Sequence, residues 1–197
     1  MGSFWRQIGR WVWFTLLLLW SGCASSFADR SVSTDLAELK QQSGWLRLES
    51  VPLVRQTEPN YCGYAVAAMV HGYWQRHGQG EVSLATVTER LPSPDEGTGA
   101  AELRDFFVEQ GFASYLLVGE FADLLRELRL GRPIIVGTVF RRGEDFIAHY
   151  VVVTGLNTER EEVLVLDPLV GARRSSLANF QRRWQLAHRL MVVVAPS

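Results

Sequence analysis

Residues 55–70 read RQTEPNYCGYAVAAMV, and the reading of this stretch decides the fold. Its first half, Glu58-Pro59-Asn60-Tyr61, is turn-like, and Pro59 bars a helix before the cysteine. Its second half, Gly63 to Val70, is a run of small apolar residues that continues as a buried helix under a sheet. Cys62 stands at the junction. A thiol in the first turn of a helix faces unpaired N–H groups and the positive end of the helix dipole. Both favour the thiolate, which is the nucleophilic form. A buried structural cysteine fits the same position, because free cysteine is among the most buried residue types.

Outward from this point the chain reads as helices first and strands second. Thr34 opens a short helix through Lys40, since TDLAE has the spacing of a capping box, and Gly44 stops it. Residues 46–54 are an extended edge segment containing Pro52. The Cys62 helix runs to His77, with Gly78 as its cap. Further helices cover 83–91, 100–110 and 120–130, the last two ended by Gly111 and Gly131. A loop fills 91–99, and 113–118 is a short strand. Then come β-branched runs at 133–140 (PIIVGTVF), 149–156 (HYVVVTGL), 162–166 (EVLVL) and 190–195 (LMVVVA). This order predicts an α+β fold with an antiparallel sheet.

The N-terminus reads as a targeting signal. Arg6 and Arg10 stand in a segment without acids, followed by WVWFTLLLLW (11–20), too short to span a bilayer with those flanks. Ser21-Gly22-Cys23 resembles the lipobox of bacterial lipoproteins, in which the signal is cut before a cysteine that becomes acylated. Trp20 departs from that pattern where Leu is usual. Plain secretion, with cleavage near Ala28 and a free Cys23, is the alternative. The resemblance implies a lipid anchor on Cys23 and a membrane partner. Ala24 after the cysteine resembles lipoproteins sent on to an outer membrane, so the expected location is the periplasm-facing cell envelope. Acylation of Cys23 leaves Cys62 as the one free thiol of the mature chain. In an oxidising compartment such a thiol is either buried and inert or reactive.

A reactive thiol needs a base. His71 and His77 lie on the cysteine's own helix, too far along it to touch the thiol, and they miss the one-turn spacing of a metal site. His77 reads as a helix cap and His188 as a surface residue. His149 follows the charged loop 141–145 and opens a strand, which puts it at a sheet rim, as a base or simply as a hydrogen-bonded rim histidine. Asp167, before Pro168, can accept the imidazole N–H and fix its tautomer, or simply start a turn. Gln56 can send its amide N–H beside the Cys62 N–H as a pair aimed at developing negative charge.

Taken together, Gln56…Cys62-Gly63, His149-Tyr150-Val151-Val152-Val153 and Val165-Leu166-Asp167-Pro168 resemble the bacteriocin-processing peptidases. These are papain-like cysteine peptidases that cut leader peptides after a double glycine. The likeness runs from about Val51 to Val194 and takes in Gly131-Arg132-Pro133 and Phe180…Trp184. The resemblance implies Cys62 as nucleophile, His149 as general base, Asp167 as its orienter and Gln56 as oxyanion donor. With the N-terminal reading, the chain is expected to divide into a lipoprotein-type signal peptide at 1–22, a tether and short helix at 23–44, and a papain-like domain at 45–197. Tyr61 departs from the Asp or Asn often found before that cysteine, which leaves substrate choice open. The 197 residues leave no place for membrane spans or a nucleotide-binding domain, so a stand-alone peptidase is expected, with an envelope peptide or protein as substrate and a separately encoded export system as a further partner. Two other readings use the same residues: a non-catalytic peptide-binding envelope or export accessory module, and an acyl or amide transferase.

Bulk properties narrow the field. Apolar content of 47%, charged content of 21% and a formal net charge of −1 describe an ordinary globular domain with a real core. No polybasic surface is announced, so nucleic acid is not an expected partner. No metal or organic cofactor is indicated.

Overall fold

The computed structural model describes residues 31–39, 41–77, 84–91 and 97–197. The signal peptide, Cys23, the Gly78 cap and the Ser83 helix start therefore lie outside the described residues. The elements run β1 (Val32–Ser33), α1 (Leu36–Leu39), β2 (Trp45–Arg47), α2 (Cys62–Arg76), α3 (Leu84–Arg90), α4 (Ala100–Glu109), β3 (Phe112–Val118), α5 (Phe121–Arg129), β4 (Ile134–Arg142), β5 (Asp145–Asn157), β6 (Glu162–Asp167), β7 (Gly171–Ser176), α6 (Leu177–Leu186) and β8 (Leu190–Pro196).

The strands form one sheet in the order β1-β7-β6-β5-β4-β8-β3, and β2 pairs separately with β5. Every pairing is antiparallel. Strand alternation sends side chains to two cores. On one face Ile135, Val152 and Val192 meet α2 and α4 through Met69, Val70, Leu103 and Phe107. On the other, Ile134, Val151, Val153 and Met191 meet α5 and α6 through Leu124, Leu128, Phe180 and Trp184. The small residues of α2 explain its close seat, since Ala65, Val66 and Ala67 are all buried.

The α+β antiparallel expectation holds, with three corrections. The helices cover both faces of the sheet, because β7 and α6 lie between the last two expected strands. The helix near residue 36 is capped by Asp35, whose carboxylate accepts the Ala37 N–H at 2.8 Å. The Thr34 hydroxyl instead donates to the Val32 carbonyl. Finally, β5 begins at Asp145, four residues before the expected start. The charged run 141–145 is the tip of a β4–β5 hairpin that pairs Arg142 with Asp145. Gly143, at φ +63, makes its tight turn possible.

The hairpin creates the working end of the molecule. β8 pairs β4 only as far as Val136, and β6 pairs β5 only from Val152 on. Beyond those points β4 and β5 continue as a two-stranded ribbon with both edges uncovered by strands. The segment before α2 folds against the β6–β7 turn, where the Gln56 N–H donates to the Pro168 carbonyl at 3.1 Å.

Trp184 should be the mainstay of the α6 side. It is 2% exposed and its indole N–H donates to the Leu190 carbonyl at 3.0 Å. Trp184→Ala is expected to cost about 3–5 kcal/mol, seen as a lower urea midpoint at unchanged slope. A loss under about 1 kcal/mol would show that α6 contributes little to the core.

Candidate active site

Cys62 is the first residue of α2, and the preceding Tyr61 provides no side-chain cap. A tight turn delivers the chain to this point: the Tyr61 N–H donates to the Glu58 carbonyl at 3.2 Å. The Gln56 amide nitrogen donates to the carbonyls of Glu58 at 2.8 Å and Pro59 at 2.9 Å. Gln56 therefore borders the site, as the sequence suggests. Both of its amide hydrogens are engaged in holding the turn, and its buried carbonyl oxygen has no hydrogen-bond partner among the described residues.

Opposite the thiol stands His149, buried on β5. It does not open the strand as expected, since four residues of β5 precede it. Its position at a rim is nonetheless real, because β6 has ended beside it. His149 Nε2 lies 2.8 Å from Asp167 Oδ1, and both side chains are almost fully buried. The same Asp167 oxygen accepts the Leu169 N–H at 2.8 Å, a turn in which the carboxylate bonds to the backbone two residues on. The imidazole also shares a hydrogen bond with Cys62.

The electrostatics follow from burial set against pairing. Burial opposes ionisation of Cys62. The hydrogen bond and charge of His149, with the N–H groups of Tyr150 and Gly63, outweigh it and hold the thiol below its usual value. Burial likewise lowers the basicity of His149, but Asp167 and Cys62 together push it up to about 9. Burial raises Asp167, while His149, the Leu169 N–H and the charge of Arg183 bring it below the ordinary carboxylate range. Tyr150 is pushed up to about 12 by burial and by the charges of Cys62 and Glu102. Such an arrangement holds a thiolate–imidazolium pair and can attack a carbonyl carbon.

Cys62 and His149 open into a cleft of about 760 Å³. Its lining includes Gln56, Cys62, Thr98, Phe140, Ile147 and Leu190. The remaining histidines divide as follows. His71 is buried against Phe106 and Phe112. His77 caps α2, with Nδ1 2.8 Å from the Tyr73 carbonyl. His188, read from the sequence as a plain surface residue, lies on the rim of the cleft. Sequence reasoning missed the N–H groups of Gly63, Tyr150 and Leu169. Only the last leaves a legible trace, in the Asp167-Pro168 turn. Among the described residues, no group of His, Cys, Asp and Glu is arranged to hold a metal ion.

A cysteine at the start of a helix, facing a histidine and an acid on an antiparallel sheet, defines a papain-like cysteine peptidase. The chain belongs to the family of the papain-like cysteine protease AvrRpt2, whose model matches residues 47–185. It is a cysteine-type peptidase. The peptidase domain of Streptococcus ComA, a bi-functional ABC transporter of a quorum-sensing pathway, is 26% identical. That match covers 75% of this chain and 99% of ComA's domain, with a TM-score of 0.58. A double glycine motif protease from an AMS/PCAT transporter, solved with its leader peptide, is 21% identical. It covers 77% and 94% of the two chains at a TM-score of 0.59. A C39-like peptidase from Bacillus anthracis shares the fold at 14% identity and a TM-score of 0.60, over 78% and 98% of the two chains. No curated protein matches the chain in sequence. The fold shared with double-glycine peptidase domains agrees with the resemblance read from the motifs.

The pairing has a pH signature. The Cys62 thiolate forms above its lowered pKa, and His149 stays protonated up to about 9. The titration of Cys62 alkylation by iodoacetamide should be shifted below an ordinary thiol's pKa of about 8.5. His149→Ala should move the curve back up to that range. The same shifts govern stability. His149 contributes fully below its ordinary 6.5, and the contribution fades as pH rises to about 9. Asp167 contributes above its ordinary 3.8, and loses the contribution as pH falls through its lowered value. An alkylation curve identical in wild type and His149→Ala would rule out the pair.

Proposed function

We propose that this peptidase hydrolyses peptide bonds in envelope proteins or peptides, with Cys62 as nucleophile, His149 as base and acid, and Asp167 as orienter. The observation that carries the reading is the continuous chain Cys62–His149–Asp167, closed by a 2.8 Å bond between buried partners. His149 holds the proton of Cys62, and the thiolate attacks the scissile carbonyl. The oxyanion then faces the Cys62 N–H at the uncapped start of α2. Gln56 joins it by turning one N–H from a loop carbonyl toward the oxyanion. The imidazolium gives its proton to the leaving amine, and water, deprotonated by His149, releases the acyl group. Gln56 on this account supports catalysis by a small rearrangement of the turn that it holds.

The substrate class is read from two sources. The structural neighbour solved in complex with its leader peptide supports a peptide substrate. The lipobox-like Ser21-Gly22-Cys23 places the protein, in this proposal, on the periplasmic side of an outer membrane through acylated Cys23. A separately encoded export system would then deliver or receive the peptide.

Two measurements test the halves separately. Cys62→Ala should abolish cleavage of a peptide substrate while leaving the melting temperature within a few degrees of the wild type. Cleavage that survives Cys62→Ala would exclude the mechanism. In cells fed a radiolabelled fatty acid, the chain should take up label, and Cys23→Ser should lose it. Equal labelling of the two would exclude the anchor and leave the peptidase reading intact.

A further inference from the structure

Strand β3 closes the sheet on one side. Its inner edge pairs β8 without interruption, from Phe112 opposite Pro196 to Val118 opposite Leu190. Just beyond, the Gly119 N–H donates to the Arg189 carbonyl at 2.9 Å. Backbone groups alternate along an antiparallel strand. Leu117 and Tyr115 therefore also turn theirs toward β8, while Leu116 and Val118 turn theirs outward. Among the described residues no backbone group pairs with that outer edge.

The side chains are as open as the backbone. Tyr115, Leu116, Leu117 and Val118 are between 37% and 69% exposed. Successive side chains point to opposite faces, so the strand offers apolar surface to solvent on both. An open edge is a template for another strand, and proteins guard such edges with charge, proline or a bulge. This fold does so elsewhere. The β4–β5 ribbon carries Arg141, Arg142 and Asp145, and β7 carries Arg173 and Arg174 and is covered by β1. β3 reads FASYLLV, with no charge, no proline and no bulge.

The strand itself argues for its occupant, because it is complementary to its own reverse. With Leu117 placed opposite Leu117 of a second copy, the outward backbone groups of Leu116 meet those of Val118, twice over by two-fold symmetry. On one face leucine meets leucine, and on the other Leu116 meets Val118. No like charges stand opposite each other within the strands, and at a formal net charge of −1 the copies do not repel one another at a distance. Contiguous exposed apolar patches of this kind mark interaction sites. Two of them, with their main chains paired, approach the roughly 1,000 Å² of a specific interface. β1 lies at the other end of the strand order, so the N-terminal linkage leaves this edge clear.

We propose that two copies of this chain pair through β3, edge to edge and antiparallel, and so extend one sheet across a dimer. His149 and Asp167 lie on β5 and β6, with β4 and β8 between them and this edge. The pairing therefore stands apart from the peptidase reading and survives or fails without it.

The test is made in cells, with the full chain carrying Cys62→Ala so that an added thiol does not meet the nucleophile. Leu117→Cys is oxidised with copper phenanthroline and separated on a non-reducing gel. The expected result is a band at twice the chain's mass, lost on reduction and well above that of the Cys62→Ala parent. Val32→Cys, exposed on β1 at the far edge of the sheet, should stay at the parent's level. Adding Val118→Lys to Leu117→Cys should abolish the band, since a lysine guards an edge. Val118 is exposed, so the melting temperature should not change. No band above the parent's would overturn the proposal. So would an equal band from Val32→Cys, which would assign the link to random collision, or a band that survives Val118→Lys. A link at any other mass would show a different protein on β3 and overturn the second copy as its occupant.

Discussion

The register of β5 against β6 is the constraint on which the rest of the molecule depends. Val152 stands opposite Leu166 and Val153 opposite Val165, and an irregularity then shifts the pairing so that Gly155 meets Leu164. Side chains alternate along a strand, so a slip of one residue would turn every one of them to the other face. His149 and Asp167 would then point apart, and the two cores would exchange their linings. The extra residue is Thr154, whose carbonyl accepts the Leu48 N–H at 2.8 Å. Gly155 is part of the same device. A Cβ there would lie 2.8 Å from Arg47 Cβ, so only glycine lets β2 come alongside.

From this register the site follows in short steps. β6 stops at Asp167, and its turn bonds back to the carboxylate through the Leu169 N–H. β5 runs on past that end and carries His149 into reach of Asp167. The Gln56–Pro168 backbone bond then ties the loop before α2 to the same turn. Cys62, His149 and Asp167 are thus contributed by a helix start, a strand middle and a strand end that share one junction. Removing water from this junction sharpens each interaction. It is also why the ionisation of all three groups departs from ordinary values in the directions pairing dictates.

Much of this was legible in the residues. The Cys62 helix, the helices ended by Gly111 and Gly131, and the strands at 133–140, 162–166 and 190–195 all announce themselves by period, caps and β-branched runs. The four site residues could be chosen because chemistry demands particular types in a particular order. What escaped did so for physical reasons. β7 reads GARRSS and has no apolar run, because its side chains lean on the N-terminal segment. Arg173 bonds to Ser31 and Arg174 reaches Gln42. The first residues of β5, Asp145 to Ala148, follow directly on the charged run 141–145 and belong to a ribbon without neighbouring strands, so no long β-branched run marks them. The role of Gln56 in holding its own turn depends on distances that no spacing encodes.

The N-terminal strand adds a directional fact. β1 lies antiparallel to β7, with Val32 beside Arg174 and Ser33 beside Arg173, and the Thr34 N–H bonds to the Ala172 carbonyl at 3.0 Å. Read backward along the chain, these contacts step away from Gly171 and the Asp167 turn, toward the opposite end of the sheet. The polypeptide therefore joins the domain from its blunt end, with the cleft at the other pole. A linkage made through residues upstream of Ser31 would thus meet the described domain at the end of the sheet away from Asp167 and Gly171, and leave the mouth of the cleft clear of the point of attachment.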